Sequence, residues 1–181
     1  MGSRRILFAI VLMLFAFISS LPAAAATQTF PNTTRINIPG SDTGSPSGAP
    51  AAPYPSTINV TDLTGVITDV DVRLFEFNHT FPADVDILLV GPHGQNVILM
   101  SDVGGPSNAH DATLTFDQSA GAMGATVVTG TFSPTNNPGD EEFPSPAPPP
   151  PYGASLDVFN GTDPNGEWNL YVIDDFSNDT G

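Results

Sequence analysis

The chain has no cysteine and no lysine among its 181 residues. Without cysteine there can be no disulfide framework, so stability must come from a packed core or from bound ions. Basic residues are nearly absent as well. Arginine supplies all four positive side chains, at Arg4, Arg5, Arg35 and Arg73, against 19 Asp and Glu. A surface so short of cations has no footprint for nucleic acid and none for an anionic membrane. There is one tryptophan, Trp168. Sustained apolar periodicity at 3.6 residues is missing outside the first 26 positions, which argues against a helical bundle.

One long apolar run exists. Arg4 and Arg5 precede 13 apolar residues from Ile6 to Ile18, then Ser19-Ser20-Leu21-Pro22 and the small residues Ala23 to Ala26. That is the layout of a secretory signal peptide, and the run is shorter than the roughly 20 residues of a spanning helix. Cleavage after Ala26 predicts a secreted or extracellular protein of 181 − 26 = 155 residues, not held in a membrane, with a formal charge of 2 − 19 = −17. That length suits one domain with a substantial core. Its acidity is compatible with Ca²⁺, whose preferred ligands are carboxylates, and equally with a well-solvated surface.

The remaining pattern is one of short strands and Gly/Pro turns. Thr34–Ile38 alternates briefly. Pro39–Pro55 is a Gly/Ser/Pro-rich loop, so residues 27–54 read as a first strand and a flexible segment. Ser56–Val60 is β-prone. From Gly65 to Asn78, residues Val66, Thr68, Val70, Val72 and Leu74 share one face and Asp69, Asp71 and Arg73 the other. Val85–Val90 is apolar on both faces at its end, as in a central strand. Gly91-Pro92-His93-Gly94 joins it to Asn96–Ser101 as a hairpin. Ala112–Phe116, Thr126–Phe132 and Leu156–Phe159 continue the series, broken by a proline-rich loop at Ser133–Tyr152 in which Pro148–Pro151 suits polyproline II. Asp163-Pro164-Asn165-Gly166 has turn chemistry throughout and feeds the alternating strand Trp168–Ile173. The expected fold is all-β, a mostly antiparallel sandwich over 55–181.

Catalytic motifs fit poorly. Asp42-Thr43-Gly44 and Asp179-Thr180-Gly181 repeat the triplet of aspartic proteases, but the first lies in the Gly/Ser/Pro loop and the second ends the sequence. Asp42 and His93 echo a subtilisin triad with no nucleophile segment after them. His79, His93 and His110 sit beside turns without zinc-ligand spacing. The acidic pairs carry more. Asp84 and Asp86 share a strand face, Asp174 and Asp175 end the Trp168 strand, and Asp163 and Asn165 lie in the turn before it. Brought together, these six would offer Ca²⁺ an oxygen-only site; the same residues also suit Asx turns and strand-end caps. Five N-x-S/T triplets occur, at Asn32, Asn59, Asn78, Asn160 and Asn178.

Three separated blocks occur in a familiar order. They are Gly65–Val72, then His79-Thr80-Phe81-Pro82-Ala83-Asp84-Val85-Asp86 through Val90-Gly91-Pro92-His93-Gly94, then Asp163-Pro164-Asn165-Gly166-Glu167-Trp168 with Val172-Ile173-Asp174-Asp175. Together they resemble the P domain (P/Homo B domain) of proprotein convertases such as kexin and furin, in its bacterial form, over roughly Pro55 to Gly181. The resemblance implies a jelly-roll, galactose-binding-like sandwich without catalytic residues, which supports a neighbouring subtilisin-like serine endopeptidase in proteolysis. It implies a protein partner of that kind, and in some relatives calcium. An alternative is a calcium-dependent adhesion or carbohydrate-binding module using Tyr152 or Tyr171. In the family a Gly-rich turn and one more apolar strand follow the double Asp, so the resemblance also implies a sheet still lacking its last strand at Gly181.

Overall fold

The computed structural model describes residues 27–39, 49–137, 141–176 and 179–181. The expected signal peptide, Asp42-Thr43-Gly44 and Asn178 lie outside the described residues. Among the described residues nine strands form: β1 (Ala49–Pro50), β2 (Ser56–Val60), β3 (Val72–His79), β4 (Val85–Val90), β5 (Asn96–Ser101), β6 (Ala109–Phe116), β7 (Gly130–Phe132), β8 (Thr135–Asn136) and β9 (Gly166–Asp174). Single turns of 3₁₀ helix occupy Pro82–Asp84 and Leu156–Phe159. Among the described residues no helix is long and apolar enough to cross a membrane.

The strands make two sheets. The larger has the order β1-β9-β4-β5-β8, with β2 also pairing β9; the smaller is β3-β6-β7. All pairings are antiparallel except β5 with β8 and β6 with β7. The protein is thus an all-β sandwich of two mixed sheets. Its centre is the β4–β5 hairpin, closed by Gly91 N–H to Gln95 O at 2.8 Å, with Gly94 at φ +84°. Both strands are buried along nearly their whole length, as the apolar runs Ile87–Val90 and Val97–Met100 require.

Alternation sorts the side chains of the larger sheet. Val85, Ile87, Leu89, Val97, Leu99 and Val172 point inward against Phe77, Ala112, Leu114 and Phe116 of the smaller sheet. Leu88, Ile98, Tyr171 and Ile173 point outward, yet they too are buried. Their cover is the proline-rich segment, which folds down as a flap with Phe143, Ala147 and Tyr152 against them. The Tyr54 and Tyr171 rings meet edge-on at 5.0 Å, and those of Phe143 and Tyr152 at 5.4 Å. Tyrosine hydroxyls tie the flap down: Tyr54 Oη donates to Pro144 O at 2.9 Å and Tyr171 Oη to Pro146 O at 3.4 Å, while Tyr152 Oη, within the flap, donates to Pro148 O at 3.0 Å.

Several local expectations change. Thr34–Ile38 contributes one bridge, Asn37 to Ala52, rather than a strand. Residues 65–71 are not strand. Gly65 turns at φ +99°, Val66 is exposed and Ile67 is buried, because Ile67 exchanges backbone bonds with Gly161 and Thr162 of the loop before β9. That pairing turns Val66 and Thr68 to solvent, against the face expected for them, while Val70 still packs against the core. Leu156–Phe159 is a 3₁₀ turn capped by Ser155 Oγ, which accepts from Asp157 N–H. The smaller sheet's β7 keeps only Gly130–Phe132 of the expected Thr126–Phe132.

Candidate functional site

The register of β9 on β4 determines where the acidic residues go. Val85 pairs with Asp174 and Asp86 with Ile173, while Asp175 N–H donates to Asp84 O at 2.9 Å. Asp84, Asp86, Asp174 and Asp175 therefore gather at one end of the larger sheet. Asp163 and Asn165 precede β9 and lie at its other end. Nine residues of strand separate the groups, roughly 30 Å at about 3.3 Å per residue. The six side chains do not form one site.

Asp163 and Asn165 spend their polar atoms on the turn itself. Asp163 Oδ1 accepts from Asn165 N–H at 2.9 Å and from Asn165 Nδ2 at 2.7 Å, and these bonds hold the Asp163 carboxyl below its usual range. Asn165 also brackets Leu63, accepting from its N–H at 3.0 Å and donating to its carbonyl at 2.9 Å. Trp168 Nε1 closes the turn on Pro164 O at 3.0 Å.

The four carboxylates at the other end divide between the faces. Asp174 is on the inner face, wholly buried, with His79 Nε2 at 3.4 Å from its Oδ2. His79 Nδ1 accepts from Phe81 N–H at 3.2 Å, so both ring nitrogens are engaged and the proton belongs on Nε2. Burial raises the Asp174 carboxyl, while the Phe176 N–H and His79 oppose that rise. Two members of a hydrolytic triad are thus adjacent, but a general base needs a nitrogen free to face a nucleophile, and His79 has none. Beside the pair, Thr80 Oγ1 donates to Asp179 Oδ1 at 3.1 Å and accepts from Thr180 N–H at 2.8 Å. Asp84 faces this corner. Burial, a hydrogen bond shared with Asp179 and the charges of Asp175, Asp179 and Asp174 push it up to about 7.

Asp86 is on the outer face under the flap, 2 % exposed, and its Oδ1 finds no hydrogen-bond partner among the described residues. Burial pushes it up to about 8; the Ser101 hydroxyl opposes this, and the charges of Asp175, Asp102 and Glu141 add to it. Ser101 lies within reach of two carboxylates, with its Oγ 3.1 Å from Glu141 Oε1, and its one hydrogen serves Glu141 or Asp86 at a time. Asp175 is pushed up to about 6 by burial and by Asp102, Asp174 and Glu141. Asp102 is raised by burial and by Glu141, with which it shares a hydrogen bond. Asp102 and Glu141 were not among the residues expected from the sequence. Asp102 reads as a strand end, and Glu141 belongs to an Asp-Glu-Glu run in the proline loop, so only docking of the flap brings them to Asp86.

The tyrosines offered for carbohydrate binding are not free. Tyr171 is 5 % exposed beneath the flap, and the Tyr152 hydroxyl is engaged with Pro148 O. The flap covers Tyr171, whereas Tyr152, itself part of the flap, is half-buried against the sheet.

These features define an all-β sandwich with a tied-down flap and buried acids at one end of its larger sheet. The proprotein convertase P-domain family model matches residues 67–181. The chain belongs to that family, whose domain is a non-catalytic accessory to the convertase. Neither a curated protein nor a solved structure matches the chain.

Proposed function

We propose that the chain is a secreted, non-catalytic module that binds and stabilises a subtilisin-like serine endopeptidase. The family match across residues 67–181 carries the reading. It is supported by the state of His79. The one Asp–His pair among the described residues has its imidazole locked between a carboxylate and a backbone N–H, which serves the fold and leaves no base for peptide hydrolysis. Secretion rests on the arrangement of the first 26 residues. A protein partner is favoured over nucleic acid by the net charge of −15.

Mixing the purified chain with a subtilisin-like protease tests this. A complex on gel filtration and a higher melting temperature of the protease are the expected results. Peptide hydrolysis that co-purifies with the chain through stringent fractionation, in place of complex formation, overturns the reading.

A further inference from the structure

The outer face of the larger sheet already holds a ligand, the chain's own flap. Six of the ten residues from Phe143 to Tyr152 are proline, at Pro144, Pro146 and Pro148–Pro151. A proline has a carbonyl to offer and no N–H, so such a segment is rich in acceptors and cannot join a sheet as a central strand. A surface that recognises it must be flat and apolar and must also carry donors, and tyrosine supplies both. This face presents two tyrosines, Tyr54 from the bend before β2 and Tyr171 from β9. Tyr54 Oη donates to Pro144 O at 2.9 Å and Tyr171 Oη to Pro146 O at 3.4 Å, two positions apart along the segment. The floor beside the two rings is Leu88, Ile98 and Ile173, all buried.

The flap is not woven into that sheet. Only its roots are: Asn137 N–H donates to Ser101 O at 3.2 Å before it, and Ile98 N–H to Gly153 O at 3.0 Å after it. Between Glu141 and Tyr152 the one backbone–backbone hydrogen bond among the described residues is internal, Ala147 N–H to Pro144 O at 3.1 Å. Side chains hold the segment: the two tyrosine hydroxyls, Ser101 Oγ with Glu141 Oε1, and the buried Phe143. It can lift between two fixed roots while every strand pairing stays intact. The ground it would uncover is apolar and aromatic, and an exposed patch of that kind marks a binding site.

We propose that the Tyr54–Tyr171 face is a recognition site for proline-rich segments, occupied in cis by the flap, and that a proline-rich segment of a partner protein takes the flap's place. The occupant's chemistry is that of the segment seated there: an aromatic anchor followed by prolines whose carbonyls meet the tyrosine hydroxyls, as in Phe143-Pro144-Ser145-Pro146. The tethered flap competes at an effective concentration on the order of millimolar, so a free segment binds the closed module weakly and the opened one well. The site is indifferent to whether the partner is a protease.

The probe is a fluorescently labelled peptide of the flap's own sequence, Phe143 to Tyr152. Its binding is compared between the full-length parent and a full-length variant in which Phe143–Pro151 is replaced by a Gly/Ser linker of the same length. The variant binds the peptide about tenfold or more tightly than the parent does. Tyr54→Phe in the variant weakens binding about fivefold, the loss of one hydrogen bond, and a peptide with alanine for every proline does not compete. The parent itself supplies a readout that no substitution can disturb. Peptide on the order of millimolar displaces the flap and speeds cleavage after Glu142 by a glutamate-specific protease about tenfold, while the peptide, which has no Glu, is untouched. No binding to the variant together with unchanged cleavage of the parent overturns the proposal, and so does binding that ignores Tyr54→Phe or the loss of the prolines. A dimer of the parent that the Gly/Ser variant cannot form overturns the assignment to a foreign segment and makes the flap of a second copy the occupant.

Discussion

Gly91 and Phe159 interlock at the heart of the module, and the contact yields a sharp energetic prediction. Phe159 is fully buried, with its ring 4.9 Å from that of Trp168 at 53°. A Cβ on Gly91 would stand 2.7 Å from Phe159 Cε1 and 3.1 Å from Cδ1. The backbone at Gly91 is not left-handed, so glycine is required there by the ring and not by φ. The ring cannot retreat, since Trp168 backs it and Trp168 is itself pinned to Pro164 O. Gly91→Ala should therefore cost about 1–3 kcal/mol, as overpacking in a closed core does. Phe159→Ala should cost about 3–5 kcal/mol from lost burial and the cavity left behind. The decisive measurement is the combination. In a Phe159→Leu background the edge of the ring is gone and the new methyl has room, so Gly91→Ala should become close to neutral. The coupling, about 1–2 kcal/mol, is read from urea unfolding of the four proteins with a common m-value. A Gly91→Ala penalty that is the same with Phe159 and with Leu at that position would refute the steric account and put the cost in the hairpin backbone.

Two further outcomes follow from the buried acids and the flap. Asp86 is raised from 3.8 to about 8, so folding favours its protonated form. That contribution is fully present below about pH 4 and is lost as pH rises through about 8, and Asp84 and Asp175 act in the same direction. With chelator present, stability should fall between pH 5 and pH 8. Asp86→Asn should remove about one proton from the slope, up to about 1.4 kcal/mol per pH unit, and so be more stable than the parent protein at pH 8; equal slopes in the two proteins would show that Asp86 is solvated. Tyr54→Phe deletes the hydroxyl that holds Pro144 O and should cost about 1 kcal/mol. The variant should speed proteolytic cleavage within the flap before it lowers the global midpoint, and an unchanged cleavage rate would mean that the flap is held by other contacts.

Much of the central architecture is local, and so it was legible. Val85–Val90 and Asn96–Ser101 carry apolar side chains on both faces around a Gly-Pro-His-Gly turn, and only a central hairpin can bury both. Trp168, Leu170 and Val172 alternate with Glu167, Asn169 and Tyr171, and the first set does face the core between the sheets. The three ordered blocks likewise point to the P-domain family without any coordinates. The same alternation misleads at Val66–Val70. There the backbone partners are Gly161 and Thr162, nearly a hundred positions away in the chain, and they override a two-residue pattern that looks like a strand.

The sequence by itself determined the class of fold, its hairpin centre and its acidity, because strand period, turn chemistry and charge are properties of neighbouring residues. It could not divide the acids among sites. Asp174 and Asp175 are adjacent, yet one is paired with His79 inside the sandwich and the other lies outside near Asp102 and Glu141. Adjacent strand residues point to opposite faces, and which face is buried against what depends on pairing with β4 and on where the flap docks. Only the tertiary structure made that decision, and with it which carboxylates lie inside the sandwich and which lie on its outer face.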